Sequence, residues 1–192
     1  MSGDKQTVAF YDAEAGPYAA HSFEASQLAD FMAELPPGAH VLDLGCGAGA
    51  DTAAMIAAGF SVTSADASIG LAAEAKRRWN VDVRVMEFSD LNFVDVFDGV
   101  WASASLHHAR AEDLPGVFAA IRRATKSGGA FHATLKADDN DRRDRLGRFY
   151  CAMSEVTLAM LATNWRDVRI DAGEGAGYEG DIARWLRLRA VR

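Results

Sequence analysis

The sequence predicts an α/β fold, a doubly wound Rossmann-like sheet of seven strands that is mostly parallel with an antiparallel final strand. Three observations predict it. Short β-rich apolar runs alternate with longer stretches of helical spacing, which is the pattern of βαβ units. A glycine-rich turn follows the first of these runs, in HVLDLGCGAGADT at residues 40 to 52. The last two runs are joined by a segment too short to hold a crossover helix, so they pair antiparallel.

Each element follows in order. A helical stretch from Phe23 to Leu35 precedes the first strand, His40 to Leu44, and a helix from Gly49 to Ala58 leads to the second strand, Phe60 to Ala65. The helix Ser68 to Trp79 is amphipathic: Leu71, Ala72 and Ala75 share one face, while Glu74, Lys76, Arg77 and Arg78 point elsewhere. Ser68 is placed to cap it. Strands at Val81 to Phe88 and Phe97 to Ala102, a helix at Glu112 to Thr125 ended by Gly128 and Gly129, and a fifth strand at Gly129 to Leu135 continue the alternation. The segment KADDNDRRDRLGRFY mixes both charge signs with no apolar period until Leu146, so it reads as a surface loop. A helix at Met153 to Ala162 and strands at Trp165 to Ala172 and Ile182 to Val191, joined by GEGAGYEG, complete the chain.

Bulk properties narrow the function. A chain of 192 residues suffices for one full core and is short for two. Lys plus Arg number 20 against 27 Asp plus Glu, a net charge of -7, which argues against nucleic acid as a partner. The opening residues lack a secretory signal pattern and no run reaches the ~18 apolar residues of a membrane span, so a cytoplasmic protein with no membrane partner is expected. Cys46 and Cys151 are too few for a disulfide framework or thiolate cluster, and no metal is expected.

The glycine turn carries the chemistry. Gly45, Gly47 and Gly49 allow positive φ angles and leave amides open to a ligand. Gly45, Gly47 and Ala50 also satisfy the G-x-G-x-x-G/A form of a nicotinamide dinucleotide site. Asp43 pulls away from that reading, since a carboxylate beside the loop suits a cation better than a pyrophosphate. Length does too: about 55 residues remain after the core, little for a separate hydride-acceptor domain.

VLDLGCGAG resembles the first motif of the class I S-adenosylmethionine-dependent methyltransferases, and the resemblance spans roughly residues 39 to 136. It implies S-adenosyl-L-methionine as cofactor and S-adenosyl-L-homocysteine as product, held in part by Asp43, Gly45, Cys46, Gly47 and Gly49. Asp66, in VTSADAS, ends the second strand, and the resemblance implies that it takes both ribose hydroxyls with Ala67 and Ser68 beside it. VMEFSDL is similar to the third-strand motif and puts Glu87, Phe88 and Ser89 at the adenine edge. That family often has Asp where Glu87 stands, so the longer arm shifts the contact toward Asp90 or backbone. FDGVWASASLHH resembles the fourth-strand motif, with Ala102 and Ser103 walling the methionine arm, and ATKSGGAFHATLK is similar to the family's helix, turn and fifth strand. YDAEAGPYA is similar to the lid of many small-molecule members, and DRLGRFY with RWLRLRA looks like a bacterial subgroup related to tellurite-resistance methyltransferases. The implied organisation is one domain over 1–192, with a helical lid at 1–38, a donor-binding core at 39–136 and an acceptor side at 137–192.

A sulfonium methyl is already electrophilic, so the protein must mainly align a nucleophile and exclude water. No Ser, His and Asp triad order, HExxH motif or paired carboxylates point to hydrolysis. His107 and His108, at the rim of the fourth strand, are candidate bases or wall packing. Tyr11 and Tyr18 either close over the methionine arm or anchor an N-terminal helix. Arg142, Arg143 and Arg145 alternate with aspartates and screen themselves, whereas Arg148 follows Gly147 and precedes Phe149 and Tyr150, which hold it near an acceptor. The expected partner is a small-molecule acceptor, on a monomer or homodimer. An NAD(P)-dependent oxidoreductase and a non-catalytic S-adenosylmethionine-binding protein are the alternatives.

Overall fold

Alternation along β1 (His40–Leu44) sets a two-sided core: Leu42 and Leu44 bury on one face and Val41 on the other, so both faces require helices. The structure, a computed structural model, describes residues 3–21, 27–178 and 180–192. Before β1 lie α1 (Lys5–Ala13), α2 (Ala15–Ala19) and α3 (Leu28–Ala33). The helix expected from Phe23 is thus seen from Leu28, and residues 23–26 lie outside the described residues. After β1 come α4 (Ala50–Ala57), β2 (Ser61–Asp66), α5 (Ile69–Trp79), β3 (Val83–Val85), β4 (Phe97–Ser103), α6 (Leu114–Ala124) and β5 (Thr125–Lys136). A small hairpin of β6 (Arg142–Arg143) and β7 (Phe149–Tyr150), helix α7 (Glu155–Leu161) and strands β8 (Arg166–Ala176) and β9 (Ile182–Val191) follow.

The seven-stranded sheet runs β3-β2-β1-β4-β5-β9-β8. Its pairs are parallel except those that β9 makes with β5 and β8, so the final strand is antiparallel as expected. Strand order reverses between β1 and β4, and this opens a crevice at their carboxyl ends. One core cluster holds Leu42, Val100, Ile121 and Phe131; the other holds Phe31, Val41, Met55 and Trp101.

Three expectations are corrected. The third strand is shorter than Val81 to Phe88, because Asn80 adopts a left-handed C-cap and the Val81 N–H closes onto Ala75 O. Gly128 and Gly129 do not end α6: Thr125 already turns the chain, donating its hydroxyl to Ile121 O at 2.8 Å, and both glycines lie within β5. The charged segment after β5 is not solvent-facing throughout, for Arg148, Phe149 and Tyr150 are buried. Asp4, the N-cap of α1, binds Arg143 through both oxygens at 2.8 and 2.6 Å, and Thr7 Oγ1 accepts the Phe149 N–H at 2.8 Å. These bonds dock the hairpin onto α1.

Candidate functional site

The glycine turn after β1 is shaped by two different demands. Gly45 (φ +78) is pressed against Ser105, whose Cβ would stand 2.3 Å from a Cβ at residue 45, and Ser105 Oγ donates to Leu44 O at 2.8 Å. Any side chain there collides. Gly47 (φ +55) is the opposite case, since no heavy atom beyond its chain neighbours lies within 4 Å of where its Cβ would be. Open space above bare backbone is what close approach of a ligand requires.

Asp66, at the end of β2, faces the same space. Its Oδ2 accepts the Gly47 N–H at 2.8 Å and its Oδ1 accepts the Ser68 N–H at 2.9 Å, which leaves lone pairs on both oxygens for further donors. Burial raises its pKa. Ser68 caps α5 by accepting the Leu71 N–H at 3.1 Å and donates to Asp12 Oδ1 at 2.6 Å. Because Asp12 lies on α1 and also accepts the Gly70 N–H at 3.0 Å, the N-terminal helix is fastened to the head of α5.

Together these groups wall a cavity of about 730 Å³ when the open solvent at its mouth is included. Gly45, Gly47, Asp66, Ala67 and Ser68 line it on the sheet side; Glu87, Phe88, Ser103 and His108 also border it, with Tyr11 and Tyr18 closing from the N-terminal segment. Glu87 Oε2 lies 3.4 Å from the Gly3 N–H, while Asp90 is turned back to accept the Glu87 N–H at 2.9 Å. Asp90 is thereby occupied in its own turn.

Three expected wall residues stand elsewhere. Ser89 is exposed on the 3-10 turn Phe88–Asp90, Ala102 is buried in the core beneath β4, and Gly49 caps α4 with Ala75 packed where its side chain would be. Period-two alternation explains Ala102, whose neighbours Trp101 and Ser103 point to the other face. Sequence reasoning passed over Gly3, Thr7, Met86, Ala104 and Ser105. None of these carries a side chain whose chemistry marks it in advance.

A second, wider groove shares Tyr11, Tyr18, Gly45, Gly47, Ser103 and Ala104 with the first. Asp43 and Cys46 border it. Asp43 accepts the Thr52 hydroxyl at 2.6 Å, and burial, then the nearby Asp51 charge, push its carboxyl up to about 8. Burial likewise raises the Cys46 thiol, which leaves it a poor nucleophile at neutral pH. Arg148 is 3% exposed, ion-paired with Asp144 at 2.7 Å, and lies over the rings of Phe10, Tyr11, Tyr150 and Tyr178.

The two histidines have defined tautomers. Nδ1 of His108 is 2.6 Å from Phe149 O, which can only accept, so Nδ1 carries the proton and Nε2 accepts from the Tyr11 hydroxyl at 3.0 Å. Burial pushes the His108 pKa down to about 4, keeping the ring neutral. His107 Nδ1 accepts the Lys136 N–H at 3.1 Å, and burial also holds its pKa well below the usual histidine value. Its proton therefore sits on Nε2. Among the described residues, no three His, Cys, Asp or Glu side chains are grouped to hold a metal ion.

The decisive comparison is with a family model described as a methyltransferase domain, which matches residues 41–129. Over those residues the chain is similar to a methyltransferase domain. The matched methyltransferase segment runs from β1 into β5 and includes the glycine turn and Asp66. Among solved structures, Burkholderia thailandensis 1,6-didemethyltoxoflavin-N1-methyltransferase, with bound 1,6-didemethyltoxoflavin and S-adenosylhomocysteine, is similar at 24% identity. Its TM-score is 0.75 over 96% of this chain and 84% of that one. TehB from Haemophilus influenzae is similar at 18% identity and TM-score 0.72, covering 95% of this chain and 67% of that one. Haemonchus contortus phosphoethanolamine N-methyltransferase 2, in complex with S-adenosyl-L-methionine, is similar at 16% identity and TM-score 0.70, over 96% of this chain and 56% of that one. These likenesses are of fold. No curated protein matches the chain by sequence. No helix among its described residues is long and apolar enough to cross a membrane.

Proposed function

We propose that this protein transfers a methyl group from S-adenosyl-L-methionine to a small-molecule acceptor by in-line displacement. The observation that supports it most is the open space over Gly47 beside the Asp66 carboxylate, at the reversal point of a methyltransferase sheet. Bound there, S-adenosyl-L-methionine supplies a sulfonium methyl: an acceptor lone pair bonds to the carbon as the carbon–sulfur pair leaves on sulfur, giving S-adenosyl-L-homocysteine. In this reading the free lone pairs of Asp66 take the ribose hydroxyls, Glu87 and Phe88 border the base, and Ser103 walls the methionine arm. Asp43 offers its carboxyl toward the cationic end of the donor. The N-terminal segment 1–38 acts as a lid, residues 39–136 bind the donor, and residues 137–192 form the acceptor side.

His107 and His108 serve as positioning residues here rather than bases. The lone pairs of His108 Nε2 and His107 Nδ1 are engaged by Tyr11 and the Lys136 amide, and neither ring offers a free acceptor to a substrate proton. The acceptor atom must then bring its own available lone pair. Mass spectrometry of nucleosides that co-purify with the protein tests the reading, with calorimetric titration by S-adenosylhomocysteine alongside fluorescence titration by reduced nicotinamide dinucleotide. Saturable binding of the first and none of the second is expected, and the reverse pattern rejects it.

A further inference from the structure

The glycine-rich connection GEGAG has a structural purpose that the donor site does not use. Gly173 and Gly175 lie on β8 opposite Trp185 and Ala183 of β9. A Cβ at Gly173 would come 3.1 Å from Arg187 Nη1, and one at Gly175 would come 3.1 Å from Trp185 Cδ1. The two glycines therefore form a floor on which the Arg187 guanidinium and the Trp185 indole lie. On the adjoining strand, Thr134 pairs with Arg187 and Lys136 with Trp185, so all four side chains project from one face of the sheet. Each of them borders the wide groove that reaches Gly47 and Ser103.

At the glycine-loop end of that groove stand the carboxyl groups of the buried Asp43 and the half-buried Asp51; Lys136 and Arg187 stand at the β5/β9 end, and Arg145 and the Asp144-paired Arg148 also line the groove. Lys136 Nζ has Asp181 at 3.6 Å and lies 5.7 Å from the Trp185 ring centroid and 5.2 Å from that of Tyr150. Arg187 is half-buried and makes no ion pair among the described residues, although Asp171 is opposite it in the register. Glu174 borders the groove, but strand alternation turns it to the face away from Gly173 and Gly175. A half-buried guanidinium with no carboxylate paired to it among the described residues, beside an ammonium and an indole face, is suited to a flat anion.

We infer that this β5/β8/β9 face is the acceptor subsite and that it selects flat aromatic acceptors bearing an anionic group, stacked on Trp185 with the anion held by Arg187 and Lys136. The inference rests on the methyltransferase reading above. It gives the groove a matched polarity, with acids toward a cationic donor and cations toward an anionic acceptor.

Calorimetry on the full chain saturated with S-adenosylhomocysteine tests it, using 2-naphthoate and its neutral counterpart 2-naphthamide. Naphthoate is expected to bind about tenfold more tightly than naphthamide, and Arg187→Met to remove that preference while Arg187→Lys keeps most of it. Affinity for S-adenosylhomocysteine should stay the same in both variants. Gly175→Val, which displaces Trp185, should weaken both naphthalene probes. Equal binding of the two probes, no binding of either, or an unchanged preference in Arg187→Met overturns the subsite. If S-adenosylhomocysteine itself does not bind, the methyltransferase reading falls, and the same probes titrated without it decide the subsite separately.

Discussion

The Tyr11 hydroxyl donates to Nε2 of His108 across 3.0 Å, joining the N-terminal helix to the turn after β4. That bond closes the cavity between the glycine loop and the charged hairpin, because His108 Nδ1 is bonded in turn to Phe149 O. A covering helix is thus tied to both halves of the groove by one neutral imidazole.

Tyr11→Phe should keep the fold and lose the tie. We expect donor affinity to fall by about 0.5–1.5 kcal/mol, the net value of one buried hydrogen bond, measured by calorimetry. A parallel loss of thermal stability with no change in donor affinity would place Tyr11 in the structure rather than in the lid.

Acidity of Asp43 gives a pH signature. Its folded pKa of about 8 lies above the unfolded value of 3.8, so the native state holds the extra proton and this stabilising contribution is lost as pH rises from about 4 through 8. Asp51 and Asp66 act in the same direction. His108 has the opposite sign: its pKa is lowered from 6.5 to about 4, and its contribution is lost as pH falls across that interval. Between pH 6.5 and 8 only the carboxyl trend remains of these, so thermal stability should decline there, and Asp43→Asn should flatten the slope in scanning calorimetry. Donor binding near pH 7 should also release protons, read as a dependence of the binding enthalpy on the buffer's ionisation enthalpy.

Two glycines in one loop should respond differently to alanine. Gly45→Ala forces a clash with Ser105 and should cost about 2–4 kcal/mol in urea unfolding, from overpacking and the left-handed backbone together. Ser105→Gly in that background should recover part of it. Gly47→Ala meets no neighbour and should cost about 1–2 kcal/mol of stability. Its larger effect should be on donor affinity, since the added methyl stands in the ligand's space.

Asp4 holds α1 at its first turn and is 5% exposed, with Thr7 and Arg143 bonded to it. Asp4→Ala should destabilise the protein by about 1–2 kcal/mol, mostly through the lost cap, since the partly exposed Arg143 is screened by solvent. Limited proteolysis should then cut α1 before the sheet. Equal protease resistance in the variant would show that Asp12 and Tyr11 suffice to hold the helix.

The part of the candidate site around Gly47 and Asp66 is legible in the sequence because backbone geometry and residue type coincide there. A tight strand-to-helix turn needs Gly45 and Gly47, and a carboxylate at the end of β2 announces itself as Asp66. The proposed acceptor half is not. Trp185 and Arg187 look like ordinary residues of a terminal strand, and only the cross-strand register sets them over Gly173 and Gly175. Asp4 and Thr7 were missed for a similar reason, since their partners Arg143 and Phe149 are distant in sequence. Charge crowding in the 136–150 segment hid an apolar pair, Phe149 and Tyr150, that long-range contacts bury.

The most direct measurement is a crystal structure of the protein grown with S-adenosylhomocysteine. Density for the nucleoside should lie over Gly47, with its ribose hydroxyls on Asp66 and its homocysteine arm running toward Ser103 and Asp43. Density at another place, or a crevice closed over Gly47 while the nucleoside is bound elsewhere, would contradict the assignment of this site.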